Sequence, residues 1–271
     1  MIRRCASYAV LVAGLIPLLL PFYWMALTSL KPKREVFTAV PQWWPAHPAW
    51  DNYRSAWVAE PFAGFFFNSI VVTASIVALQ LALASLAAFA LSRFEFRGRS
   101  LIFWIIVAAL IVPVQITFIA NFMTLAHLGL LNTYAALVAP YAASAFGTFL
   151  LRQAFAAVPR QLEDAARLDG CSGLAFLWHV LLPLSRPTVL AFALVAVVTH
   201  WNDYFWPLIV TNNNAVRTLP IGLGMFVGQE VTTDWNLLMA ASIFVSAPML
   251  LLFFLMQRHF VQSQLRTGSR G

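Results

Sequence analysis

The chain has 271 residues, of which 61% are hydrophobic and 10% charged, far below the roughly 25% charged residues usual for soluble domains. Its apolar runs recur at lengths that suit a hydrocarbon core of about 30 Å, crossed by about 20 helical residues, which leaves no room for a sizeable soluble domain. The net charge of +7 comes from basic residues set between the apolar runs and not interleaved with aromatics, so membrane orientation accounts for it better than nucleic-acid binding does.

The first apolar run, Ala6 to Leu30, follows Arg3 and Arg4. It is too long for a signal peptide and no small-residue cleavage site follows, so it reads as a retained span, kinked at Pro17 and Pro21. A polar connector over 31–65 is rich in Pro and Trp, its aromatics those expected at a bilayer surface, and reads as a partly helical extracytoplasmic loop. Asn68 to Leu91 reads as the second span, Leu101 to Phe122 as the third and Tyr134 to Leu151 as a shorter fourth. Thr188 to Val210, holding Trp201 and Pro207, is the fifth, and Leu237 to Gln257 the sixth. The outer loops would be 31–65, 123–133 and 211–236, within a single membrane domain over 1–271.

Assigning the connectors alternately gives a charge test, because Lys and Arg collect on the cytoplasmic side. One side holds twelve basic residues: Arg3, Arg4, Arg93, Arg97, Arg99, Arg152, Arg160, Arg167, Arg186, Arg258, Arg266 and Arg270. The other holds five, Lys31, Lys33, Arg34, Arg54 and Arg217, four of them in the one long connector. Both termini are therefore expected in the cytoplasm, and the protein in the plasma (inner) membrane. Cys5 and Cys171 then face a reducing compartment, so no disulfide is expected.

The connector over 152–187 is the most informative stretch. Pro159 suits the first turn of a helix, Glu163 and Asp164 suit its positive end, and Gly170 is placed to end it. Ser172 is placed to cap a second helix, with Leu174, Leu177, Trp178, Leu181 and Leu182 at helical spacing before Pro183 and Pro187. By pattern alone this is a solvated helical hairpin or a docking element, and the pattern does not choose.

The run Glu163-Asp164-Ala165-Ala166-Arg167-Leu168-Asp169-Gly170, followed by Leu182-Pro183-Leu184 and Pro187, resembles the signature loop of ABC importer permeases, whose usual form is Glu-Ala-Ala, three variable residues, Gly, then a distant Leu-Pro. Either Asp164 takes the place of the first alanine or Glu163 stands beside the motif's start; Asp169-Gly170 fixes the alignment. Asn68-Ser69, Arg93-Phe94 with Phe96 and Gly98, and Trp201-Asn202-Asp203-Tyr204 with Pro207-Leu208 are similar to the carbohydrate-uptake branch, the second membrane subunit of the maltose importer. Pro113-Val114-Gln115-Ile116 and Asn132-Thr133-Tyr134 are similar to the glycerol 3-phosphate permeases.

The resemblance implies an all-α polytopic protein of six transmembrane helices with the type I ABC importer permease fold. It also implies alternating access driven by two separate ATPase subunits, with a second, homologous permease subunit and an extracytoplasmic solute-binding protein as further partners, in contact with membrane lipid. Glu163, Asp164, Ala166, Asp169 and Gly170 would be the ATPase-coupling residues. No cofactor is expected in this chain, since ATP and Mg would be bound by the ATPases. That agrees with the absence of a Gly-x-x-x-x-Gly-Lys-Ser/Thr phosphate loop; the only lysines are Lys31 and Lys33. Gly222, Gly224 and Gly228 miss dinucleotide spacing and read as turn residues.

Asp203 is the only carboxylate placed within a span, and such a group is by default a functional-site hypothesis. Pro207 cannot donate to the carbonyl of Asp203, so the helix is expected to break there. Asn202, Asp203 and Tyr204 line a substrate path or Asp203 locks helix packing, and Trp201 stacks on a sugar ring in that path or is an interfacial anchor; these readings stay open. Asn213, Asn214, Gln229 and Glu230 lie in the loop that resembles, by position, the binding-protein contact of the maltose-type subunit; a plain surface loop fits as well. Two other classes remain. An intramembrane enzyme would use His200 and Asp203, but lacks further ligands within a span, and a secondary carrier would need ionisable groups in several spans.

Overall fold

The computed structural model of the chain describes residues 2–171, 173–227 and 233–267, which hold helices and no strand. In chain order the helices are α1 (Ile2–Ser29), α2 (Lys33–Val36), α3 (Asp51–Ala59), α4 (Phe62–Arg93), α5 (Arg99–Ala109), α6 (Phe118–His127), α7 (Tyr134–Val138) and α8 (Ala145–Ala156). They continue as α9 (Arg160–Leu168), α10 (Gly173–Phe176), α11 (Leu182–Leu184), α12 (Arg186–Trp201), α13 (Phe205–Val210), α14 (Leu219–Gly224) and α15 (Trp235–Thr267).

Among the described residues three helices are long and apolar enough to span: Leu11–Ser29 within α1, the whole of α4, and Trp235–Leu255 within α15. Three bent pairs raise the number to as many as six. The expected third span is not straight. Arg99–Ala109 and Val114–His127 meet at 94°, where Pro113 cannot donate to the preceding turn and a short 3₁₀ turn, Val114–Thr117, follows it. Helix also continues to His127, past the expected end at Phe122. The fourth run bends by 47° between Tyr134–Tyr141 and Ala145–Ala156. Ser144 begins the second half by accepting from the Gly147 amide at 3.0 Å.

The chain forms two compact units. The first holds 1–65 and 219–253. Asn52 knits it together, donating through Nδ2 to the carbonyls of Ser29 (2.8 Å) and Lys31 (2.9 Å) and accepting from Asn236 (3.0 Å). Phe62, Phe65, Phe226 and Phe244 form an aromatic cluster beside this tie. Gly222 lies so close to the Phe65 ring that an added Cβ would come within 2.4 Å of it.

The second unit holds 66–218 together with 254–271. Its core joins α4, α8, the stretch 173–184 and α12 through Ala84, Phe89, Leu151, Phe155, Leu177, Leu181 and Phe192. Gly147 of α8 admits the Phe192 ring of α12: a Cβ there would lie 2.2 Å from the ring edge. A smaller core gathers Ile76, Leu125, Leu137, Trp206 and Val210.

The stretch 173–184 departs from the expected plain helix. Leu177–Leu181 is one π turn; Pro183 lies in the short stretch after it, and the helix ends at Leu184, bent by 83° from the one that starts at Arg186, so the break falls between Pro183 and Pro187 as expected. The register widens where a backbone donor is missing anyway. Leu177 and Leu181 are fully buried, while Leu174 and Trp178 are exposed, so the expected amphipathicity is present. Ser172, the expected cap, lies outside the described residues.

Candidate functional site

The two stretches singled out in the sequence, the connector helix and the break in the fifth span, both fall in the second unit. Helix α9 begins immediately after Pro159 and ends in a Schellman motif: the Cys171 amide donates to Ala166 O at 2.8 Å and the Gly170 amide to Arg167 O at 3.0 Å. Gly170 has φ +79°, and nothing stands within 4 Å of where its Cβ would be. Glycine is needed there for its backbone angle and not for lack of room.

The helix is held from behind. The Arg93 side chain, 2% exposed, lies 3.5 Å from the Glu163 carboxylate, which is itself 12% exposed. Arg167 reaches the other Glu163 oxygen at 2.7 Å, one turn along the helix. Arg93 also donates to the carbonyls of Phe155 (2.6 Å) and Val158 (2.8 Å), so its charge sits on the C-terminal end of α8, where the helix dipole favours a cation. Arg160 meets Glu95 at 3.2 Å on the surface. Ala166 and Cys171 pack against the unit's main core.

The five candidate residues of α9 therefore divide. Glu163 and Ala166 face the protein's own body, Ala166 permitting the close approach of α9 to that core. Asp164, Asp169 and Gly170 are exposed together with Leu162 and Leu168, the latter 90% exposed. Neither Asp164 nor Asp169 has a side-chain partner among the described residues. The result is an exposed face of fixed orientation on which Asp164, Asp169, Leu162 and Leu168 stand beside the ion-paired Arg160 and Arg167.

In the fifth span, α12 stops at Trp201 and α13 starts at Phe205, leaving 202–204 out of the helix as Pro207 foreshadowed. Asp203 accepts from the Trp206 amide at 3.4 Å and from the Tyr141 hydroxyl. Around it lies a polar group of which the sequence singled out only His200, and not Gln80 or Tyr141. Gln80 of α4 donates to Tyr141 O at 2.8 Å and meets His200 Nε2 at 3.0 Å, and the Tyr141 and His200 rings are 4.8 Å apart. The signal was present as a glutamine in the middle of an apolar span. Asn202 is exposed and bonds back to Val198 O at 2.7 Å. Tyr204 is half-buried, and Trp201 is buried with its ring edge-on to Phe66 at 5.8 Å. Among the described residues no cluster could hold a metal ion.

Of the loop candidates, Asn213 and Asn214 are exposed and shape the turn itself, accepting from the Ala215 amide and from Arg217, each at 2.9 Å. Gln229 and Glu230 lie outside the described residues. The turn is tied down by Asn68, which donates to Ala215 O and Arg217 O at 2.9 Å each and accepts from Tyr134 at 2.5 Å. Asn132, with φ +59°, accepts from the Asn212 amide at 2.7 Å, and Thr133 caps α7. Both Asn motifs are thus structural ties.

Residues 80–266 match the family described as binding-protein-dependent transport system inner membrane components. The chain is 34% identical over 263 residues to the sn-glycerol-3-phosphate transport system permease protein UgpE of Escherichia coli O1:K1 / APEC, covering 94% of each protein. Its fold is similar to a chain of a bacterial ABC transporter involved in the import of the acidic polysaccharide alginate (TM-score 0.83, 22% identity, 96% of each chain covered). A chain of a bacterial alginate ABC transporter in complex with an alginate pentasaccharide-bound periplasmic protein is also similar (TM-score 0.68, 14% identity, 95% of this chain and 96% of that one covered).

Proposed function

This chain belongs to the family of binding-protein-dependent transport system inner membrane components, and from that premise we propose how its parts serve the import of a sugar or a glycerol 3-phosphate type solute. Membership makes it the multi-pass permease subunit of an ABC importer, a translocation component and not an enzyme. A self-contained carrier and an intramembrane enzyme are set aside with it. The solute class rests on relatives named for sn-glycerol 3-phosphate and on a structural neighbour named for alginate import.

In this reading the exposed face of α9 docks on one of two ATPase subunits, which bind ATP and Mg, and a second permease subunit completes the pore. A solute-binding protein delivers from outside, meeting the loop that carries Asn213, Asn214, Gln229 and Glu230. Both termini lie in the cytoplasm, the loops 31–65, 123–133 and 211–236 lie outside, and the whole chain works as one membrane domain. The carrying observation is the way α9 is presented: Glu163 and Ala166 fasten it to the body, while Asp164, Leu168 and Asp169 stand open. A partner closing on that face would push on a helix tied by Arg93 to the ends of α4 and α8, so movement of one is passed to the other. At the break in the fifth span, Asn202 and Tyr204 line the solute path, with Asp203 and Trp201 holding its wall.

The test is to solubilise the tagged protein gently and identify what copurifies by mass. An ATPase and a second permease should appear, and Gly170→Asp should keep the protein in the membrane while abolishing coupled uptake. Uptake at the normal rate by that variant, or by this chain reconstituted alone, overturns the assignment.

A further inference from the structure

The first unit contains a cavity of about 420 Å³ that the import reading does not use. Its walls include Trp24 and Thr28 at the end of the α1 span, Phe37 and Gln42 in the connector, and Trp235 at the start of the α15 span. Two span ends therefore meet there, which sets the cavity at the level of a membrane surface.

Lys31 lines it, 1% exposed. Its ammonium donates to Gln42 O at 2.8 Å and stands 4.8 Å from the Trp24 ring centre. No carboxylate pairs with it among the described residues: Asp234 is taken by Lys33, and Glu35 has one oxygen 4.0 Å from Arg34 and the other buried without a hydrogen-bond partner. A buried ammonium with one hydrogen bond and no counter-charge is costly, and an anion is what relieves it. Gln42 Oε1 is likewise buried with no partner. As placed, that oxygen asks for a donor, such as a ligand hydroxyl. The three aromatic rings offer an apolar wall for carbon-bound hydrogens.

We propose that this cavity binds a phosphate ester bearing hydroxyl groups, its anionic oxygens on Lys31, its hydroxyl on Gln42 and its carbon skeleton against Trp24, Phe37 and Trp235. The chemistry fits a glycerol-type phospholipid headgroup at the membrane surface, and equally the same group free in solution. It is separate from the solute path at the α12–α13 break and does not depend on which solute is imported.

The test uses the protein purified from its membrane with its copurifying partners, stripped of lipid and re-supplied with equal amounts of phosphatidylglycerol or phosphatidylcholine. Native mass spectrometry should find one phosphatidylglycerol retained per copy of this chain, about tenfold over phosphatidylcholine, which has no hydroxyl and no net charge. Lys31→Gln should erase the preference, Lys31→Arg keep it and Gln42→Leu reduce it. In a second arm, glycerophosphoglycerol without acyl chains is titrated calorimetrically; binding there to the native protein but not to Lys31→Gln, with no lipid preference, identifies the soluble form as the ligand. Equal retention of both lipids by the native protein with no calorimetric binding overturns the proposal, as does an unchanged preference in Lys31→Gln. Should Lys31→Gln fail to assemble, the native preference and its reduction in Gln42→Leu still decide.

Discussion

At the connector, Glu163 is shared between Arg93 and Arg167 and Ala166 packs on the core, while Asp164, Leu168 and Asp169 stand in solvent. At the break between α12 and α13, Asp203 is held by the Tyr141 hydroxyl and the Trp206 amide, with Phe118 and Tyr141 packed on the Trp206 ring. In the first region charge answers charge, and the pairing fixes the direction in which a surface helix points. In the second a carboxylate accepts hydrogen bonds from neutral donors and closes the gap left by an interrupted backbone ladder. The same side-chain chemistry thus orients a surface in one place and mends a helix in the other.

The largest effect should come from Arg93. Arg93→Ala leaves Glu163 with only its exposed partner and frees the carbonyls of Phe155 and Val158, and breaking a buried pair of this kind costs about 3–5 kcal/mol. Thermal unfolding should fall accordingly, and limited proteolysis should open the 159–170 segment first. Because Asp203 serves as an acceptor, Asp203→Asn should keep the fold and most of the uptake, whereas Asp203→Ala should lose about 1–3 kcal/mol by leaving donors unpaired. Uptake abolished in Asp203→Asn with unchanged stability would move Asp203 from the packing role to the solute path. The smallest change is Gly170→Ala, which should cost about 1–2 kcal/mol, all of it from φ, since the surrounding space is open. Its unfolding midpoint should shift slightly, and its uptake should drop less than in Gly170→Asp.

Much of this was legible in the chain itself. The apolar runs located the three straight spans, Pro159 and Gly170 bracketed α9 to the residue, and Pro207 marked the break after α12. The inward and outward faces of α9 were not legible, because the residue that decides them, Arg93, lies 70 positions before Glu163 and acts only once α4 and α8 are packed together. Gln80 and His200 are separated by 120 positions and meet for the same reason. The bend in the third span was within reach, because Pro113 sits mid-run, where a missing backbone donor breaks a helix. The π turn had no local signal beyond Pro183.

The central claim is that α9 offers one face to a partner ATPase and the other to its own body. Site-directed cross-linking in the assembled importer, with Cys5 and Cys171 replaced by serine, tests it directly. Single cysteines at Leu168 and Asp164 should cross-link to the copurifying ATPase, and a cysteine at Ala166 should not. Cross-links from position 166 with none from 164 or 168 would contradict the account.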